Sequence, residues 1–209
     1  MNDVSDQPSA LLPEVCRLGQ AAGAAIMAIY STEFDVEHKA DDSPLTAADM
    51  AAHHALVDGL AALTPEVPIL SEESADIPFE ERATWQRYWL IDPLDGTREF
   101  VKRNGEFTVN VALIDGGQPV LGVVYVPVTD VCYFAAVGHG AHKRIGDGPS
   151  QPIHSRALGS GPVAIAGSRS HPSARLEAFL ERLGPHEIVR IGSSLKSCLV
   201  AEGRADLYP

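Results

Sequence analysis

The sequence lacks the features that mark several classes of protein. It has only three cysteines, Cys16, Cys132 and Cys198, far apart and odd in number. They form neither a disulfide frame nor a thiolate zinc site, and read as reduced core residues of a cytoplasmic protein. No apolar run approaches the roughly 20 residues that span a bilayer, so no integral membrane segment is expected. The opening stretch MNDVSDQPSA carries acids and no basic cluster, unlike a signal peptide. Positive charge is scarce: 16 Lys and Arg face 28 Asp and Glu, a formal net charge of −12. That argues against binding nucleic acid or an anionic membrane surface non-specifically. An anionic substrate stays open, because acids that converge on metal ions make a site locally positive. There is no G-x-S-x-G elbow for a serine hydrolase. His53-His54 lack H-E-x-x-H spacing and read as one core and one surface residue of a helix. Gly138-His139-Gly140 lacks the third glycine and following helix of a dinucleotide fingerprint. No internal repeat or low-complexity tract is present.

What is there is ordinary for a globular protein of one or two domains: 209 residues, 45% hydrophobic and 21% charged. Leu11 to Tyr30 reads as an amphipathic helix, with Leu11, Val15, Leu18, Ala22, Ile26 and Ile29 at spacings of three and four. Val36 to Pro44 is polar and reads as a loop. Thr46 is placed to cap a helix whose inward face would be Met50, His54, Val57, Leu60 and Leu63. Ala75 to Arg87 reads as an irregular, mobile surface segment. Arg98 to Glu106 reads as a basic loop or a lid. Phe107 to Ala136 reads as an antiparallel meander turning at Asp115-Gly116-Gly117. Gly146 to Ser160, rich in Gly, Pro and Ser, marks a boundary between domains 1–155 and 156–209. Beyond it a strand (Pro162–Ala166), a helix (His171–Leu183, with Leu176, Phe179, Leu180 and Leu183 inward), a strand (Glu187–Ile191) and a helix (Ser194–Glu202) alternate, and Leu207-Tyr208 starts another strand. This implies an α/β domain with a mainly parallel sheet.

One stretch organises the chemistry: Trp89 to Thr97, WLIDPLDGT. Its apolar start reads as the end of a buried strand, which Pro93 and the Asp95-Gly96 turn should stop. Asp92 and Asp95 are thus delivered together at the mouth of a sheet. Two close carboxylates repel unless a cation sits between them, and a hard divalent ion such as Mg2+ takes oxygen ligands. By itself DPLDGT reads better as a plain turn, and two further features argue otherwise. A second apolar strand, Pro68-Ile69-Leu70, also runs into carboxylates at Ser71-Glu72-Glu73, and Thr97 adds a hydroxyl able to position a water. Asp49 has a plain structural role open to it, capping its helix and meeting the helix dipole. Gly192-Ser193-Ser194 leads into a helix N-terminus, equally an anion site or a simple cap.

SEE followed by WLIDPLDGTREF resembles the inositol monophosphatase superfamily of metal-dependent, lithium-sensitive phosphatases. KADDSPLTAAD (39–49), VKRNGEFTVNVALIDGGQPVLGVVYVPV (101–128) and IGSSLKSCLVAEGRADLYP (191–209) resemble its CysQ-type branch, the 3′(2′),5′-bisphosphate nucleotidases. The resemblance covers nearly the whole chain. It implies an α+β or α/β fold, a layered αβαβα sandwich. It also implies that relatives continue past the equivalent of Pro209 to a Trp-Asp pair whose Asp is a further metal ligand, so that the second domain and second metal site are incomplete as written.

The resemblance further implies that Glu72, Asp92, the Leu94 carbonyl and Asp95 hold two or three Mg2+ ions, with Mn2+ able to substitute. Asp49, Thr97 and Glu72 would be catalytic, Asp49 and Thr97 activating the attacking water. Lys39 matches the family lysine of its loop. Glu72, Leu94, Asp95, Gly96, Thr97, Ser193 and Ser194 would border a small phosphorylated nucleotide, adenosine 3′,5′-bisphosphate, cleaved to AMP and phosphate during sulfate assimilation. The alternatives are an inositol monophosphatase- or fructose-1,6-bisphosphatase-type enzyme, or an inactive metal-binding scaffold. The wider family also allows a homodimer and loose association with the cytoplasmic face of the inner membrane.

Overall fold

A computed structural model describes residues 7–31, 36–38, 44–74, 77–170 and 174–209, with the backbone alone for 36–38 and 44–46. The chain start, Lys39 and the Thr46 side chain fall outside that description. The elements are α1 (Pro8–Tyr30), β1 (Val36–His38), β2 (Pro44–Thr46), α2 (Ala47–Leu63), β3 (Ile69–Ser71), α3 (Phe79–Arg82), β4 (Arg87–Asp95), α4 (Thr97–Val101), β5 (Thr108–Asp115), β6 (Gln118–Val126), β7 (Val131–Ala136), β8 (Gly140–Ile145), β9 (Gln151–Pro152), β10 (Val163–Ser168), α5 (Ala174–Leu183), β11 (His186–Ile191) and α6 (Leu195–Ala201).

Strands β3 to β9 form one sheet in chain order. Only β3 and β4 run parallel; the rest is the expected meander, extended by β8 and β9. Helices α1 and α2 pack on each other and on this sheet. Their shared core holds Val15, Ile26, Leu56, Leu60, Trp89, Leu113 and Leu121. Beneath Val126 and Tyr133 the sheet meets Cys198 and Leu195 of α6. On its far side α6 packs through Leu199 on Ala166 of the smaller sheet, in which β10 and β11 are parallel. Leu207 bridges in parallel to Ile165. Helix pair, large sheet, helix and small sheet are the first four layers of the αβαβα sandwich that the resemblance implies. The three cysteines are buried and free. Among the described residues no helix is long and apolar enough to cross a membrane.

Several expectations are corrected. The ends of the polar stretch 36–44 pair as β1 and β2, so it is not all loop. Helix α2 buries Ala48, Asp49, Ala52, Leu56 and Leu60; of the expected face only Leu60 is fully inside. Two of the inward positions are alanines, and α1 approaches closely at Gly59, where Leu18 packs. His53 bonds Ser71 Oγ at 2.9 Å, and His54 is exposed. The segments expected to be irregular contain α3 and α4. Strand β9, inside the Gly146–Ser160 stretch, pairs with β8 of the first sheet and so lies on the N-terminal side of the expected boundary at 155. Helix α5 buries no residue fully; Leu176 and Phe179 instead face a cleft.

Candidate active site

Parallel pairing of β3 with β4 sets Ser71 beside Ile91, and the Glu72 N–H donates to the Ile91 carbonyl at 3.2 Å. Glu72 and Asp92 therefore leave the sheet at the same edge. The sequence reading ends β4 at Pro93, but the strand continues to Asp95 through a bulge. Asp92 pairs with Asn110 and Asp95 with Thr108, so three steps on β4 face two on β5. A bulge tolerates a residue with no N–H. It also changes the phase of the strand. Residues three apart normally face opposite sides of a sheet, and one inserted residue restores a common side. The burial pattern registers the slip: Trp89, Ile91 and Pro93 are buried in alternation, then Leu94 as well.

The carboxylates repel one another. Burial first, and then the charges of Asp95, Glu72 and Asp49, together push the Asp92 carboxyl up to about 8, against a lowering hydrogen bond from the Leu94 backbone. Asp49, in the first turn of α2, is 1% exposed. Asp95 is oriented by neighbours: its Oδ2 accepts the Ser194 N–H (2.6 Å), the Ser194 hydroxyl (2.7 Å) and the Asn110 amide (3.3 Å). Gly96 has φ 95°, and an added Cβ there would stand 3.1 Å from the Glu106 carbonyl, which explains glycine at the turn. The Thr97 hydroxyl donates to the Leu94 carbonyl at 3.4 Å.

Among the described residues no three His, Cys, Asp or Glu side chains form a tight cage. The donor set of carboxylate and carbonyl oxygens suits a hard divalent cation.

These residues line one cleft of about 720 Å³, a volume in the range of small-molecule sites. Glu72, Asp92, Leu94, Asp95, Gly96, Thr97 and Ser193 border it. Ser194 does not, being turned to Asp95, and Asp49 lies behind the lining. Arg98, from the basic stretch read as a loop or lid, also borders it; the sequence reading missed other parts of the wall, Arg175 and Lys196 and the apolar Leu176, Phe179 and Tyr208. Lys196 is 8% exposed, and its ammonium donates to the Ser193 carbonyl and sits 5.3 Å from the Tyr208 ring centroid. Burial holds it below the usual lysine range. Its position just after the Gly192-Ser193-Ser194 turn was the available signal, but one lysine in a helix reads as solvated.

A model of the inositol monophosphatase family matches residues 8–209. The chain belongs to the inositol monophosphatase family. Within that family it is 54% identical over 202 residues to the 3′(2′),5′-bisphosphate nucleotidase CysQ of Escherichia coli K12, covering 95% of this chain and 80% of the relative. It is 51% identical over 201 residues to the protein of the same name from Salmonella typhimurium, with the same coverage. Among solved structures, CysQ from Bacteroides thetaiotaomicron superposes with a TM-score of 0.80 at 38% identity, covering 97% of this chain and 79% of that one. An inositol monophosphatase from Thermotoga maritima superposes with 0.78 at 27% identity, over 94% and 74%.

Proposed function

We infer that this protein is a 3′(2′),5′-bisphosphate nucleotidase, a metal-dependent phosphatase that hydrolyses the 3′-phosphate of adenosine 3′,5′-bisphosphate to AMP and phosphate. The observation that carries the chemistry is the crowding of carboxylates around Asp92 at a cleft that also carries cations. The substrate follows from the nucleotidases to which the chain is similar. In this reading Glu72, Asp92, the Leu94 carbonyl and Asp95 hold two or three Mg2+, with Mn2+ able to substitute. Such ions lower the pKa of an attacking water and offset charge on the phosphoryl and leaving oxygens.

The chain's own residues do the rest. Thr97 donates its hydroxyl proton to Leu94, which leaves its oxygen lone pairs to accept from a water. Asp49 helps remove that water's proton, and Glu72 supports the same step. The Gly96 turn offers backbone N–H to the phosphate. Ser193, Lys196 and Arg98 supply donors and positive charge for the anionic substrate. Leu176, Phe179 and Tyr208 give apolar surface on which a purine can lie. The reading carries with it a cytoplasmic setting, and a homodimer as one assembly it allows.

The test is phosphate release by the purified protein with Mg2+ from adenosine 3′,5′-bisphosphate and from inositol monophosphate. Preferential release from the nucleotide is expected. Preference for inositol monophosphate overturns the substrate, and no release from either with Mg2+ or Mn2+ overturns the enzyme reading.

A further inference from the structure

Ser193 borders the cleft with φ 49°, a left-handed conformation that serine keeps only where its surroundings hold it. Two carboxylates flank it. The Ser194 N–H donates to Asp95, and on the other side the Gly192 N–H donates to Glu106 Oε2 at 2.8 Å. Glu106 is held in turn by Arg169, whose Nε and Nη2 donate to its two oxygens at 2.6 and 2.7 Å. Arg169 also donates to the Arg190 carbonyl at 2.7 Å, on the strand leading into the turn. Gly192 leaves no slack, since a Cβ would stand 2.8 Å from the Glu106 carbonyl and 2.7 Å from Glu99 Cγ. On the far side Lys196 is tied to the Ser193 carbonyl.

Glu106 is outside the cleft lining. We propose that Glu106 is a positioning residue for substrate binding: braced by Arg169, it fixes the Gly192–Ser194 turn so that Ser193 and Lys196 meet the substrate. This rests on the reading that the cleft takes a phosphorylated nucleotide. A charge-assisted bidentate pair is suited to the task, because the fork fixes direction as well as distance. The Asp95 side of the turn serves the acid cluster, and the Glu106 side serves the substrate wall.

The experiment is steady-state kinetics of the full chain with Mg2+, using adenosine 3′,5′-bisphosphate and p-nitrophenyl phosphate, a phosphomonoester without a nucleoside. Glu106→Ala is expected to raise KM for the nucleotide about tenfold, the scale of one lost charged hydrogen bond. kcat and the Mg2+ half-saturation should stay within about twofold, as for an interaction used in binding alone. The KM for p-nitrophenyl phosphate, which lacks the second phosphate and the nucleoside that Ser193 and Lys196 are proposed to meet, should hardly move. Glu106→Gln keeps an acceptor for the Gly192 N–H and should restore most of the nucleotide KM. Should Glu106→Ala fail to fold, Arg169→Lys, which loses the fork, carries the same test with a smaller shift.

A lowered melting temperature with unchanged KM overturns the proposal, as does a joint loss of kcat and Mg2+ affinity, or failure of Gln to rescue. If the wild type releases no phosphate from the nucleotide, the substrate reading fails separately. The clamp is then decided by amide exchange of residues 191–196, which Glu106→Ala should accelerate and which, if unchanged, overturns it.

Discussion

Ser194 gives both its backbone N–H and its hydroxyl to a single oxygen of Asp95, at 2.6 and 2.7 Å, across 99 residues of chain. The second half of the molecule thereby aims an acid of the first. Partners that orient a metal-binding carboxylate typically matter 10- to 100-fold, roughly, in metal affinity. Ser194→Ala keeps the N–H bond and loses the hydroxyl. It is expected to raise the Mg2+ half-saturation about tenfold with little change in nucleotide KM, as measured by activity against Mg2+ concentration.

Asp92→Asn should lower phosphate release by on the order of a hundredfold or more, the scale of losing a central electrostatic group, while leaving the circular dichroism spectrum unchanged. An active Asp92→Asn enzyme would count decisively against the mechanism.

The same residue makes the metal-free protein pH-sensitive. Its carboxyl rises from an ordinary 3.8 to about 8 in the fold. Between those values the folded state keeps a proton that the unfolded state has lost, so stability falls as pH rises through that window. Thermal melts in EDTA should show a declining melting temperature from about pH 4 to about pH 8. Asn at position 92 should flatten the decline. A wild-type trend matching the variant's would exclude Asp92 as its source.

Gly96→Ala puts a Cβ at φ 95° against the Glu106 carbonyl. A cost of about 1–3 kcal/mol is expected for that backbone, readable by urea unfolding, with activity falling because Thr97 and Ser193 both border the turn.

Asp206 is pulled to about 2, first by hydrogen bonds from Arg156 (2.7 and 2.8 Å), then by the Ala164 N–H. Its stabilisation is full above the ordinary carboxylate range and fades as pH drops through the folded value. Asp206→Asn should therefore destabilise at pH 7, and its gap from wild type should close toward pH 2. A gap independent of pH would point to the hydrogen bonds alone.

Much of this architecture was legible in the sequence. Alternation and turn residues placed β5 to β7, and the apolar runs ending in Glu72 and Asp92 marked the sheet edge where the site forms. Helix α2 misled because two of its inward positions, Ala48 and Ala52, are alanines, which carry little periodic signal, whereas Met50, Val57 and Leu63 lie at the margin and His54 faces outward. The bulge misled because proline and Asp-Gly read as a stop, and only a partner strand can absorb an extra residue. Arg169 and Glu106 could not be read at all, since each finds its partner on a distant segment and exposed charge is the default reading of both; Lys196 offered only its place after the Gly192-Ser193-Ser194 turn. Helix α5 has a clear apolar stripe, but its fate depends on what faces it, and here part of that stripe forms a wall of the cleft.

The slipped step between Asp92 and Asp95 has a consequence for how this acidic edge tolerates change. Side-chain identity there is secondary to counting: one residue more between the two acids, with the single bulge kept, would send the second to the opposite surface of the sheet, with every ligand type intact and the constellation dispersed. Insertion, harmless in most connecting segments, would therefore scatter the acids at this one place, and in the proposed mechanism the D-x-x-D spacing counts as much as the acids themselves.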